Sequence, residues 1–143
     1  MTYSKILIAV DNSTFSFAAA KVGFDLARQL QAKVALVFVA NKARIMHNAD
    51  AGILPEEAMV MLRQEAKSTL EKLTALYAAQ DVVTFMPEDE PADGIIKTAE
   101  SWGADLMVMG THGRTGLMHL LLGSVAEQVL RHSKIPTVVV PSK

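Results

Sequence analysis

The chain contains no cysteine. That excludes disulfides and thiolate metal sites and fits a reducing compartment. Aromatic residues fill only 6% of the 143 positions, so aliphatic side chains and eight methionines must build the core that a 50% apolar composition permits. Neither sign of charge dominates: 14 Lys and Arg against 15 Asp and Glu leave a formal net charge of −1, which offers no general attraction to nucleic acid or acidic lipid. Long hydrophobic runs are missing too. The stretch 117–122 is interrupted by His119 and is far too short to span a bilayer. The opening residues do not read as a secretory signal, because their apolar run is short and ends at Asp11 without a small-residue cleavage site. The expected setting is the cytoplasm, with no membrane insertion and no nucleic-acid partner. The length suits one domain over 1–143, with no linker and no internal repeat.

What is present alternates between two periodicities. Apolar, β-branched runs at 6–10, 34–39, 82–86, 105–109 and 137–140 read as strands. Helical spacing follows from about 15 to 30, from Pro55 to about 79, over 92–102 and over 124–132. Ser13 or Asn12 is placed to cap the first helix, Pro55 suits the first turn of the second, and Gly103 stops the third. Residues 41–54 read as an irregular loop, a candidate for a mobile or functional segment, and 87–91 as a solvated acidic turn. Strand–helix alternation from end to end predicts an α/β fold: an open parallel five-stranded sheet with helices on both faces, Rossmann-like. If its order is 3-2-1-4-5, strands one and four flank the point where the order reverses.

The chemistry concentrates after the fourth strand, in Gly110-Thr111-His112-Gly113-Arg114-Thr115-Gly116 and in Gly123-Ser124. Three glycines within seven residues let the backbone approach a ligand and aim several N–H groups at one anion. Ser124 with Glu127 fits a capping box, and the helix start it marks favours phosphate. A plain turn and a plain helix start account for the same residues. The loop is neither a Walker A motif nor the dinucleotide fingerprint. Asp11, at the carboxyl end of the first strand, stands where open α/β sheets bind ligands. It suits ribose hydroxyls or a Mg²⁺ beside phosphates, or alternatively a turn at the start of a helix. The four histidines show no metal-site spacing and are expected mostly on loops or the surface. Met107 and Met109 are expected in the core, and Trp102 is expected to pack against the helix it closes.

These residues give the chain a specific likeness. The opening Ile6-Leu7-Ile8-Ala9-Val10-Asp11, the strand Ala104 to Gly110, the glycine loop and the closing Pro136-Thr137-Val138-Val139-Val140 resemble the universal stress protein family over nearly the whole length. The family's ATP-binding branch carries Gly-x-x-Gly, nine residues, then Gly-Ser/Thr, and Gly110, Gly113, Gly123 and Ser124 match that spacing. The resemblance implies ATP, ADP or AMP as ligand, with Mg²⁺ as an accompanying ion. Gly110 and Gly113 would lie along ribose and phosphates, and Gly123, Ser124 and Val125 at the terminal phosphates. Asp11 matches the ribose-side acid, Val39 the position whose backbone faces adenine, and Val10 lines the pocket. Thr111, His112 and Arg114 belong to the same loop. The family's habit of dimerising through its last strand implies a homodimer through Thr137–Val140, an apolar sheet edge in the expected topology. The chain departs from the family at Glu88-Asp89-Glu90, where relatives often carry Gly before the proline, and at Asn12, often Gly elsewhere.

The expected function is that of a nucleotide-responsive stress regulator acting on a protein partner. Two alternatives are a slow ATPase or AMP-forming enzyme on the same scaffold, and an interaction scaffold that needs no nucleotide. No nucleophile elbow and no paired general acid and base favour the enzyme.

Overall fold

Side chains alternate across a strand, so a strand that is apolar at every position must be covered on both faces. The first strand, β1 (Lys5–Ala9), meets that condition: Ile6, Leu7 and Ile8 are fully buried. The structure, a computed structural model, describes residues 2–112 and 122–141. Around β1 stand α1 (Thr14–Leu30), β2 (Lys33–Val37), β3 (Ala40–Asn41), α2 (Lys42–Asp50) and α3 (Pro55–Leu76). Then follow β4 (Val82–Phe85), β5 (Glu88–Asp89), α4 (Pro91–Trp102), β6 (Leu106–Gly110), α5 (Ser124–His132) and β7 (Thr137–Val140).

The five-stranded sheet runs β4-β2-β1-β6-β7, parallel throughout. With the two-residue strands set aside, this is the expected 3-2-1-4-5 order. Two cores follow from strand parity. Ile6, Ile8, Val34, Leu36, Leu106 and Val108 face α1 and α3, where Phe24, Ala66, Leu70 and Leu73 meet them. Leu7, Ala35, Val37, Met107 and Met109 face α4 and α5, where Ile95, Ala99, Ala126 and Val129 meet them. Both methionines expected in the core are there. Trp102, half-buried at the end of α4, sets its ring edge-on to Phe85.

Predicted strand and helix ends shift by a residue or two, and α3 stops at Leu76. Two expectations fail more substantially. Residues 41–54 are not an irregular loop: β3 and then α2 occupy most of the stretch. The Asn41 side chain accepts the Ala43 N–H at 3.0 Å, and Arg44 of α2 donates to both carboxylate oxygens of Glu65 on α3 at 3.1 and 3.2 Å. Nor is the acidic segment a solvated turn, because β5 pairs in parallel with β3. Arg63 of α3 holds Glu88, and Lys97 of α4 holds Asp89. Both stretches are stabilised by partners distant in sequence, which local composition does not reveal. Among the described residues, no helix is long and apolar enough to cross a membrane.

Candidate functional site

β1, the central strand, ends level with β2, while β6 runs on to Gly110. The Val10 N–H donates to Val37 O at 2.9 Å, and the chain then turns away into α1. At that turn Asp11 is half-buried and its Oδ1 accepts from the Ser13 N–H at 2.8 Å, from the Ser13 hydroxyl, and from the Ser16 hydroxyl at 2.8 Å. The Ser16 hydroxyl also accepts the Asp11 N–H at 2.6 Å. Asp11 therefore performs the turn role, and Ser13, the N-cap of α1, makes no side-chain cap bond. Sequence reasoning missed Ser16. Its signal was the placement of hydroxyls two and five residues after an aspartate.

On one side of β1, the chain beyond β2 runs on through Phe38 and Val39 to β3. The Phe38 N–H donates to Phe85 O at 3.0 Å and the Ala40 N–H to Pro87 O at 2.8 Å. Backbone groups alternate sides along an extended strand, so the Val39 N–H and C=O point the other way, toward the space that β1 vacates beyond Val10. Val10 itself is buried in the core beneath.

On the other side, β6 ends at Gly110 and the Thr111 N–H donates to Val140 O at 3.0 Å. His112 lies in the loop after β6 and is buried, with 7% of its surface exposed. Its ring lies 6.2 Å from that of Phe15 at the start of α1, and its Nδ1 is 3.2 Å from the Thr111 hydroxyl. A Cβ on Gly110 would come within 3.7 Å of Phe15. These contacts pack the Gly110 segment against the start of α1, next to the Asp11 turn, at the carboxyl ends of β1 and β6.

The far end of the glycine segment returns to the same place. The Gly123 N–H donates to Thr111 O at 2.6 Å, and a Cβ on Gly123 would stand only 2.8 Å from that oxygen. No side chain fits between these two backbones, so glycine is a steric requirement there. Gly123 is also the N-cap of α5, and no side chain caps it. The expected capping box is not formed. Ser124 is the first helical residue rather than the cap; its hydroxyl accepts from Gln128 at 3.3 Å, and Glu127 is held by Arg131. The first helical bond runs from Glu127 N–H to Gly123 O at 3.0 Å. The N–H groups of Ser124, Val125 and Ala126 thus have no acceptor within the helix and carry its positive dipole end. Gly113 and Arg114 lie outside the described residues. Among the described residues, no cluster of three His, Asp or Glu is arranged to hold a metal ion.

The sequence pattern of the Universal stress protein family matches residues 2–141. Universal stress protein MJ0531 of Methanocaldococcus jannaschii is 36% identical over 140 residues, 96% of this chain and 82% of that protein. The solved structure of MJ0577, from the same organism, superposes with a TM-score of 0.89 at 30% identity, covering 100% of this chain and 99% of that one. An Archaeoglobus fulgidus universal stress protein in complex with dAMP shares the fold at TM-score 0.68 and 21% identity, covering 97% of this chain and 98% of that one. A universal stress protein in complex with cAMP shares it at 0.67 and 22%, covering each chain in full at 100%. From its opening strand to its last, this chain belongs to the universal stress protein family.

Proposed function

We propose that the chain binds an adenine nucleotide, ATP foremost, in the crevice at the carboxyl ends of β1, β2 and β6, and that occupancy regulates a protein partner. One observation supports the reading: the Gly123–Thr111 backbone clip holds the uncapped start of α5 at the carboxyl end of β6, beside His112, whose ring meets Phe15 just after the Asp11 turn. Backbone N–H groups of Ser124 and Val125 suit terminal phosphates, and the glycine segment from Gly110 through Gly113 suits the chain of phosphates and the ribose. Asp11, already fixed by Ser13 and Ser16, would present its carboxylate to ribose hydroxyls. The Val39 N–H and C=O would meet the edge of adenine, and Val10 would floor the pocket. Arg114 and His112 complete the phosphate side, and a Mg²⁺ would ride on the phosphates. The dAMP and cAMP complexes of relatives support an adenine nucleotide as the class of ligand. The working form is a cytoplasmic homodimer paired through Thr137–Val140.

Mass spectrometry of the protein as purified, followed by calorimetric titration with ATP and Mg²⁺, tests the reading. Gly123→Ala forces a methyl against a backbone oxygen, a misfit of about 1–3 kcal/mol, and should weaken ATP binding about tenfold or more. Wild-type protein without affinity for any adenine nucleotide would remove the proposal. Retention of intact ATP supports regulation; multiple turnover with Mg²⁺ would instead favour the ATPase alternative.

A further inference from the structure

Gly94 lies buried in the first turn of α4, its N–H donated to Glu90 O at 2.8 Å. A Cβ at that position would stand 2.8 Å from both Cγ1 and Cγ2 of Val39 and 3.4 Å from Cβ of Asp89. Carbon atoms in good contact sit about 3.5–4.0 Å apart. Valine is stiff about its first side-chain bond, and rotation gives no escape. Its two methyls always fill two of three staggered positions, so at least one of the two positions flanking the Gly94 site stays occupied. With α4 held in place, the backbone of Val39 would have to yield instead. Its neighbours are pinned, Phe38 to Phe85 O and Ala40 to Pro87 O. The strain therefore falls on the two peptide groups either side of the Val39 Cα.

Those peptide groups carry the N–H and C=O that face the vacated end of β1. We propose that Gly94 is a positioning residue for the base: the missing side chain on α4 sets the seating of Val39, and through it the alignment of the backbone edge that reads adenine. This rests on the adenine-nucleotide reading above. The motif that marks the phosphate side contains no trace of it, because Gly94 lies on another helix, α4.

The test compares wild type, Gly94→Ala, Val39→Ala and the double variant by calorimetric titration with ATP, adenosine and inorganic tripolyphosphate. Gly94→Ala should weaken ATP and adenosine about tenfold or more while leaving tripolyphosphate binding unchanged, and the double variant should recover to within about threefold of wild type. A merely structural role would not separate base from phosphate, nor be rescued by a second truncation. Melting without ligand supplies an independent readout. Alanine favours a helix over glycine, so Gly94→Ala should raise Tm in the Val39→Ala background yet lower it when Val39 is intact. ATP binding by Gly94→Ala equal to wild type, or a double variant as weak as the single, would overturn the inference alone. A wild-type chain that binds no adenine nucleotide would overturn the nucleotide reading as well.

Discussion

Asp105 shows how much one carboxylate can organise. Its oxygens accept the Ser4 N–H, the Ser4 hydroxyl and the Lys5 N–H at 2.9–3.1 Å, and its own N–H donates to Lys5 O, clamping the start of β1 to that of β6. Partial burial opposes the charge, but the bonds from Ser4 and Lys5 outweigh it and hold the carboxyl below the usual aspartate range. A lowered folded pKa means that the ion's contribution is present above the unfolded value, near 3.9, and fades as pH falls through the folded one. Asp105→Asn keeps the shape but turns a donor toward the Ser4 or Lys5 N–H. It should cost about 1–3 kcal/mol at pH 7. Urea unfolding should show a smaller gap between wild type and variant at pH 3 than at pH 7. Other single residues were plain in the sequence: Gly103 takes φ 82° as the expected helix stop, and Pro55 opens α3. Ser124 was not, because a serine and a glutamate three apart fit a capping box whether the serine is the cap or the residue after it.

Among the elements, α2 is the one that composition concealed. It buries little of its own and leans on α3 through Arg44 and Glu65. Short helices are marginal alone, so its existence depends on that docking. Arg44→Ala should therefore speed amide hydrogen exchange within Lys42–Asp50 by a factor corresponding to about 1 kcal/mol or less, with Tm nearly unchanged. A uniform rise in exchange across the sheet would contradict this local role. The central strands β1, β2 and β6 were legible for the opposite reason: both of their faces are apolar, and no exposed placement satisfies them.

For the molecule as a whole, the open question is what covers the edge at β7. Met107 N–H donates to Pro136 O and Thr111 N–H to Val140 O, so parallel alternation turns the Val138 and Val140 amides inward and the Val139 amide outward. Val139→Pro would remove only the outward donor, which an edge strand tolerates. If a second copy pairs here, sedimentation should show the dimer lost while circular dichroism and melting stay close to wild type. A dimer that persists in that variant would direct attention to another surface.

By itself the sequence determined the alternation of five strands with helices, the two covered faces and the glycine spacing that names the family, because periodicity and steric punctuation are local properties. Only the tertiary structure decided that β3 pairs with β5, that His112 is buried against Phe15, that Ser16 holds Asp11, and that Gly94 makes room for Val39. Each of those depends on groups brought together across the chain, where contact is set by packing and hydrogen-bond geometry rather than by spacing along the backbone.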